Sequence, residues 1–116
     1  PLVWSYTTSQ AYHRMHGDPG RYEAISLQEG APVQIEGAVM IKESPLAKEF
    51  MNFLISKDAQ MNIPTTQWMY PARTDVELPP DFKKIPVPKK YQISFPSAGE
   101  VKAILKGWGE SILEKQ

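Results

Sequence analysis

The stretch SPLAKEFMNFLISKDAQMNIP, residues 44–64, decides how the chain is read, because it carries two helix starts in tandem followed by a stop. Ser44 precedes Pro45, so a hydroxyl is placed to accept an orphan amide while proline takes a first-turn position where its missing N–H costs nothing. Leu46, Phe50, Phe53 and Leu54 follow at helical spacing and make one apolar face. Ser56 repeats the start signal ahead of Asp58, Ala59, Met61 and Ile63. Pro64 is expected to end the second helix, because its ring clashes with the carbonyl four residues earlier. Two short amphipathic helices in sequence require a surface to pack on, and the flanking segments must supply it.

Toward the C-terminus, Ser97-Ala98-Gly99-Glu100 forms a capping box. Val101, Ile104, Leu105, Trp108 and Ile112 then repeat at helical spacing, which predicts a long final helix whose stripe, Trp108 included, packs into a core. Toward the N-terminus, Leu2-Val3-Trp4 reads as a short buried strand running into a polar turn. Ser9 is placed to cap a short helix carrying Ala11, Tyr12 and Met15, which Gly17, Asp18, Pro19 and Gly20 bring to an end. Residues 22–27 alternate weakly, and Val33, Ile35, Ala38, Val39 and Met40 predict a strand kinked near Gly37. From Thr65 to Phe95 crowded prolines predict a wandering surface segment. The fold class that results is α/β: short strands with flanking helices and a long C-terminal helix. Residues 1–116 fit a single unit, and the start at Pro1 reads as a mature or truncated product.

Charge and composition remove several classes of function. Thirteen Lys and Arg balance thirteen Asp and Glu, leaving no global field to gather nucleic acid or an anionic membrane. With no cysteine, disulfides, thiolate metal sites and thiol nucleophiles are excluded. No apolar run approaches the roughly 18 residues of a membrane span. The scattered glycines form neither a phosphate-binding loop nor a dinucleotide fingerprint. Ser5, Thr7 and Ser9 lie near His13 and His16 but lack a nucleophile elbow and an orienting acid, so no catalytic residues are assigned. His13 and His16 sit three apart near Asp18 and could offer two ligands to zinc, but no third ligand accompanies them, and solvated helix histidines is the reading preferred. Glu29, Glu36 and Glu43 read as solvated charges.

The aromatic residues carry more information. Tyr6 ends the first predicted strand and Tyr12 lies on the helix after it, a place where α/β folds turn side chains toward a ligand crevice. Trp68 lies just past a helix stop in Thr65-Thr66-Gln67-Trp68-Met69-Tyr70-Pro71, where its ring either plugs the core or faces a ligand. For Trp4 and Tyr70 core positions are expected.

These residues also carry a resemblance. Leu2-Val3-Trp4-Ser5-Tyr6-Thr7-Thr8-Ser9 with Ala11-Tyr12-His13, then Glu29-Gly30, Val33-Gln34-Ile35-Glu36, the 46–54 helix, and Ile63-Pro64-Thr65 with Trp68-Met69-Tyr70-Pro71 resemble, in order and with similar gaps, the last third of the thiamine-binding periplasmic proteins. The likeness covers about the first three fifths of the chain. It implies the C-terminal portion of a periplasmic-binding-protein-like type II fold, in which two α/β lobes close on a ligand and deliver it to the permease of an ABC importer. By the same resemblance the residues matching Tyr6, Tyr12 and Trp68 line the cleft, the chain is not an enzyme, its location is periplasmic or otherwise extracytoplasmic, and an N-terminal portion of the same protein completes the pocket. Thiamine or a thiamine phosphate would be the transported ligand, with no cofactor. Thiamine joins an aminopyrimidine to a cationic thiazolium, which suits aromatic stacking and cation–π attraction. Tyr6 is followed by Thr7 and not by a second tyrosine, against the paired phenolates of iron-binding relatives. A lobe for a polyamine, iron or a phosphorylated metabolite, and a protein-interaction domain, are the competing readings; uncovered surfaces would favour a dimer.

Overall fold

The computed structural model describes residues 2–92 and 96–113. Its elements are α1 (Ser9–Met15), β1 (Ala31–Pro32), α2 (Pro45–Leu54), α3 (Lys57–Thr66), a 3-10 turn (Phe82–Lys84), β2 (Tyr91–Gln92) and α4 (Ala98–Leu113). The capped helices form as their chemistry dictates. Ser44 Oγ accepts the Ala47 amide at 3.1 Å and Ser56 Oγ the Ala59 amide at 3.2 Å. Glu100 accepts both the amide and the hydroxyl of Ser97, at 2.7 and 2.6 Å, closing the box that opens α4.

Pro64 does not stop α3. It lies inside the helix and is fully buried, while the chain continues to Thr66. A proline so near the end forfeits one intrahelical bond, and the last turn is tied by other donors: Thr66 Oγ donates to the Asn62 carbonyl at 2.8 Å and the Gln67 amide to Ile63 at 2.9 Å. The predicted strands also differ from the structure. Leu2, Val3 and Trp4 form no strand and are 76–88% exposed, Trp4 included, because nothing among the described residues pairs with them or covers them. No ladder forms over 22–27 or 33–40 either.

The one sheet among the described residues is a two-residue parallel pair, with Ala31 opposite Tyr91 and Pro32 opposite Gln92. Ala31 and Val33 donate to the Lys90 and Gln92 carbonyls, so the N–H that Pro32 lacks falls on the side facing away from the partner. Gly30 makes this approach possible. Its φ is +102°, and a Cβ there would lie 2.8 Å from the Lys90 carbonyl oxygen.

The core lies where no regular element was expected. Ala11, Val76, Phe82 and Ile85 are buried, three of them from the proline-rich segment, and Trp68 and Leu78 pack against the Ala11, Phe82 and Ile85 cluster. That segment therefore runs largely over the surface, as expected, and also supplies most of the core; its residues 93–95 lie outside the described ones. The rest of the apolar surface stays open. The radius of gyration is 18.1 Å, against about 13 Å for a compact domain of this length. The accessible surface is 9940 Å², against roughly 6,400 Å² for a globular monomer of this mass. Phe50 and Phe53 on α2 and Trp108 on α4 are more than half exposed, so the stripe of α4 meets no core.

Candidate functional site

The short helix α1 has no side-chain cap: Thr8, not Ser9, occupies the capping position, and the Ser9 hydroxyl instead lies 2.7 Å from that of Ser5. Seven residues without a cap are marginal in isolation, so its position is fixed by contacts with distant chain. Ala11 is completely buried against Phe82 and Ile85. Gln10, also buried, uses both ends of its amide: Oε1 accepts the Ala24 amide at 2.9 Å and Nε2 donates to the Lys84 carbonyl at 3.4 Å. Arg14 Nε donates to Asp81 at 3.2 Å, and Lys84 Nζ donates to the same carboxylate at 2.9 Å. The hydrogen bond from Lys84, and then the neighbouring charges of Lys84 and Arg14, hold the Asp81 carboxyl below its ordinary range.

This docking sets Tyr12 against Trp68. The rings meet edge to face, with centroids 4.9 Å apart and planes at 81°. Trp68 follows the C-cap of α3 in a left-handed conformation, φ +56°. Glycine is the ordinary occupant of such a position, and a bulky residue held there costs on the order of 1–3 kcal/mol. The strain is maintained by packing: Trp68 lies nearly parallel to Phe82 at 6.4 Å, and Tyr70 meets Phe82 edge-on at 5.5 Å. His16 stacks on Tyr12 at 4.3 Å and 23°, and His13 on Tyr22 at 4.0 Å and 28°. A continuous row of rings thus runs from Tyr22 through His13, Tyr12, His16 and Trp68 to Phe82 and Tyr70.

The structure brings together two of the three aromatic residues singled out in the sequence. Tyr12 is 40% exposed and Trp68 partly buried, so Trp68 is both packed on the core and open on one edge. Tyr6 stands apart, 67% exposed, with its carbonyl accepting the Ser9 amide at the entry to α1. Tyr70, expected in the core, is 48% exposed; partial burial and then Tyr91 raise its phenol above the ordinary range. Gln10, Asp81 and Phe82 help build this corner and the sequence pattern does not single them out; His16, weighed in the sequence only as a zinc ligand or a solvated histidine, stacks on Tyr12 instead. Only His16 had a local signal, the four-residue spacing that stacks two rings on one helix face. Among the described residues no group of three His, Asp or Glu side chains is arranged to hold a metal.

The corner is a wall and not an enclosed pocket. One hollow of about 130 Å³ is bordered by Gln60, Ile63 and Tyr70, and another of about 280 Å³ lies between residues 38–42 and α2. Sites that enclose a small molecule run to roughly 300–1,000 Å³, and both hollows are smaller than that.

Three periplasmic proteins are similar to the chain in sequence. A thiamine-binding periplasmic protein of Brucella melitensis is 43% identical over 94 residues, covering 78% of this chain and 28% of the relative. Those of Escherichia coli and Haemophilus influenzae are 41% identical over 90 residues and 38% over 95, covering 75% and 80% of this chain. The chain is a homologue of the thiamine-binding periplasmic proteins. It spans 27–28% of the length of these homologues. Their common name is that of a periplasmic binding protein and not of an enzyme. No family model matches the chain, and no solved structure matches it.

Proposed function

We propose that the chain is one wall of the ligand cleft of an extracytoplasmic solute-binding protein that recognises thiamine or a thiamine phosphate and delivers it to an ABC permease. The observation that carries this reading is the perpendicular pair of Tyr12 and Trp68, 4.9 Å apart, with Trp68 held in a strained conformation by the core beneath it. Two rings at right angles present a face and an edge to a flat, cationic ligand; a polyamine, which has no ring, would use only the cation–π part. Tyr6 lies on the chain leading into α1 and would join the wall once the cleft is complete. The relatives' shared name supports both the ligand and the periplasmic location.

The second lobe of a type II binding fold supplies the opposing wall in this reading. The excess accessible surface and the uncovered faces of α2 and α4 support it, since monomeric proteins rarely leave so much apolar surface open. The chain by itself would then bind thiamine weakly. Calorimetric titration tests both parts. In the protein at its natural length, Trp68→Ala is expected to weaken thiamine binding about 5- to 30-fold, the loss of one desolvated aromatic contact worth roughly 1–2 kcal/mol, with unchanged circular dichroism. Undiminished affinity would remove Trp68 from the site, and micromolar binding by the 116-residue chain alone would contradict the one-wall reading.

A further inference from the structure

We infer that His16 is a specificity-determining residue of this site, occupying the Tyr12 and Trp68 corner in the free protein and yielding it to a flat aromatic cation; the inference rests on the aromatic-wall reading above. Its imidazole stands where a ligand ring would stand. The ring lies 4.3 Å from Tyr12 and nearly parallel to it, and 5.5 Å from Trp68 with the planes at 60°. It therefore touches both members of the pair that the ligand is to engage, and covers one face of Tyr12.

The ring is held there lightly. His16 is exposed and lies at the C-cap of α1. Besides the stack, its side chain makes one hydrogen bond, Nδ1 to the Tyr12 carbonyl at 2.8 Å. A carbonyl only accepts, so Nδ1 carries the proton and donates. A single exposed hydrogen bond and one stacking contact make a displaceable occupant. A ligand without a π-face recovers little of the stacking lost when His16 leaves, so the exchange favours flat rings over flexible amines. A ligand with positive charge gains further, because among the described residues the side-chain cation that lies over a ring, Arg21, lies over Tyr22 at 5.4 Å and not over Tyr12 or Trp68.

The test uses the protein at its natural length, titrated with thiamine and separately with N-methylquinolinium, a flat aromatic cation lacking every other feature of thiamine. His16→Ala is expected to tighten binding of the displacing cation about two- to tenfold, the cost of one aromatic contact. His16→Phe, which restores a ring without the hydrogen bond, is expected to return affinity to within about twofold of the parent. Proton NMR gives a readout independent of affinity: the His16 ring resonances, shielded by Tyr12 in the free protein, move downfield as the cation is added. Unchanged or weaker binding by His16→Ala, or His16 resonances that stay shielded in the complex, overturns the proposal. Release of His16 by N-methylquinolinium, with thiamine showing no binding at all, leaves the proposal standing and removes thiamine as the ligand. Thiamine that binds without releasing His16 overturns the proposal and keeps thiamine as the ligand, and release by neither cation overturns the proposal.

Discussion

The region around α1 and the long helix α4 obey similar local rules and end in opposite surroundings. α4 has the better sequence: a complete capping box, sixteen residues and a regular apolar stripe, yet its Ile104, Leu105 and Trp108 are 60–65% exposed. α1 has no side-chain cap and seven residues, yet Ala11 is fully buried and Gln10 nearly so. Capping satisfies amides within a few residues and needs nothing distant. Burial needs a partner, and the partner of α1 lies about seventy positions further on, at Asp81, Phe82 and Lys84. Local pattern therefore says which segments are helical, and long-range chemistry says which of them are docked on the core.

The largest effect expected from this contrast is at Phe82. It is 2% exposed and touches Ala11, Ile85, Trp68 and Tyr70 through one ring. Truncating a buried phenylalanine costs about 3–5 kcal/mol. With so few buried apolar residues beside it, Phe82→Ala is expected to release α1 and the Trp68 loop together. Urea titration followed by tryptophan fluorescence reads this as a midpoint moved to much lower denaturant. A shift no larger than that of a surface substitution would mean that α1 is held by something other than this core.

The helices were legible because Ser44, Ser56 and Ser97 announce them within four residues of chain. Tyr12 and Trp68 are singled out through the likeness to known proteins; the structure shows their rings side by side, and their role in a ligand site is the proposal made above. What failed was everything that depends on chain far away. Leu2-Val3-Trp4 has strand chemistry but no neighbour to pair with. Pro64 was read as a terminator, although its buried ring sits in a last turn that threonine hydroxyls close. The proline-rich segment was read as surface because proline and lysine dominate it, yet Val76, Phe82 and Ile85 point inward between them. The sequence pattern offers His16 as a zinc ligand or a solvated histidine, since nothing in its spacing says that Tyr12 will be exposed enough to be stacked upon.

A smaller effect sharpens the comparison through pH. Asp81 accepts from both Lys84 and Arg14, and its carboxyl is held below the ordinary range, near 4 for aspartate. A folded-state value below the unfolded one contributes stability that is present above the unfolded value and is lost as pH falls through the folded one. The docking of α1 is therefore expected to loosen at pH below about 4. Asp81→Asn is expected to flatten that dependence and to destabilise less than Phe82→Ala at neutral pH. Thermal unfolding monitored at 222 nm from pH 7 down to pH 3 checks both. A wild-type acid slope unchanged in Asp81→Asn would assign the acid sensitivity to other groups.

The smallest effect is expected at Trp108, and its smallness is what makes it informative. A residue 65% exposed on α4 adds little to the stability of the chain as it stands, so Trp108→Glu is expected to change the unfolding free energy by no more than about 0.5 kcal/mol. The new carboxylate would nonetheless meet whatever covers the stripe in a larger assembly, where an unpaired charge against apolar surface is costly. The 116-residue chain is thus expected to keep its stability and lose any tendency to self-associate, as read by sedimentation velocity across a concentration series, while the protein at its natural length is expected to be destabilised by the same substitution. Loss of stability in the short chain would show that the stripe of α4 already packs against its own chain. An unchanged protein at natural length would show that α4 faces solvent there too, and the difference between the two regions would then belong to the molecule and not to the absence of a cover.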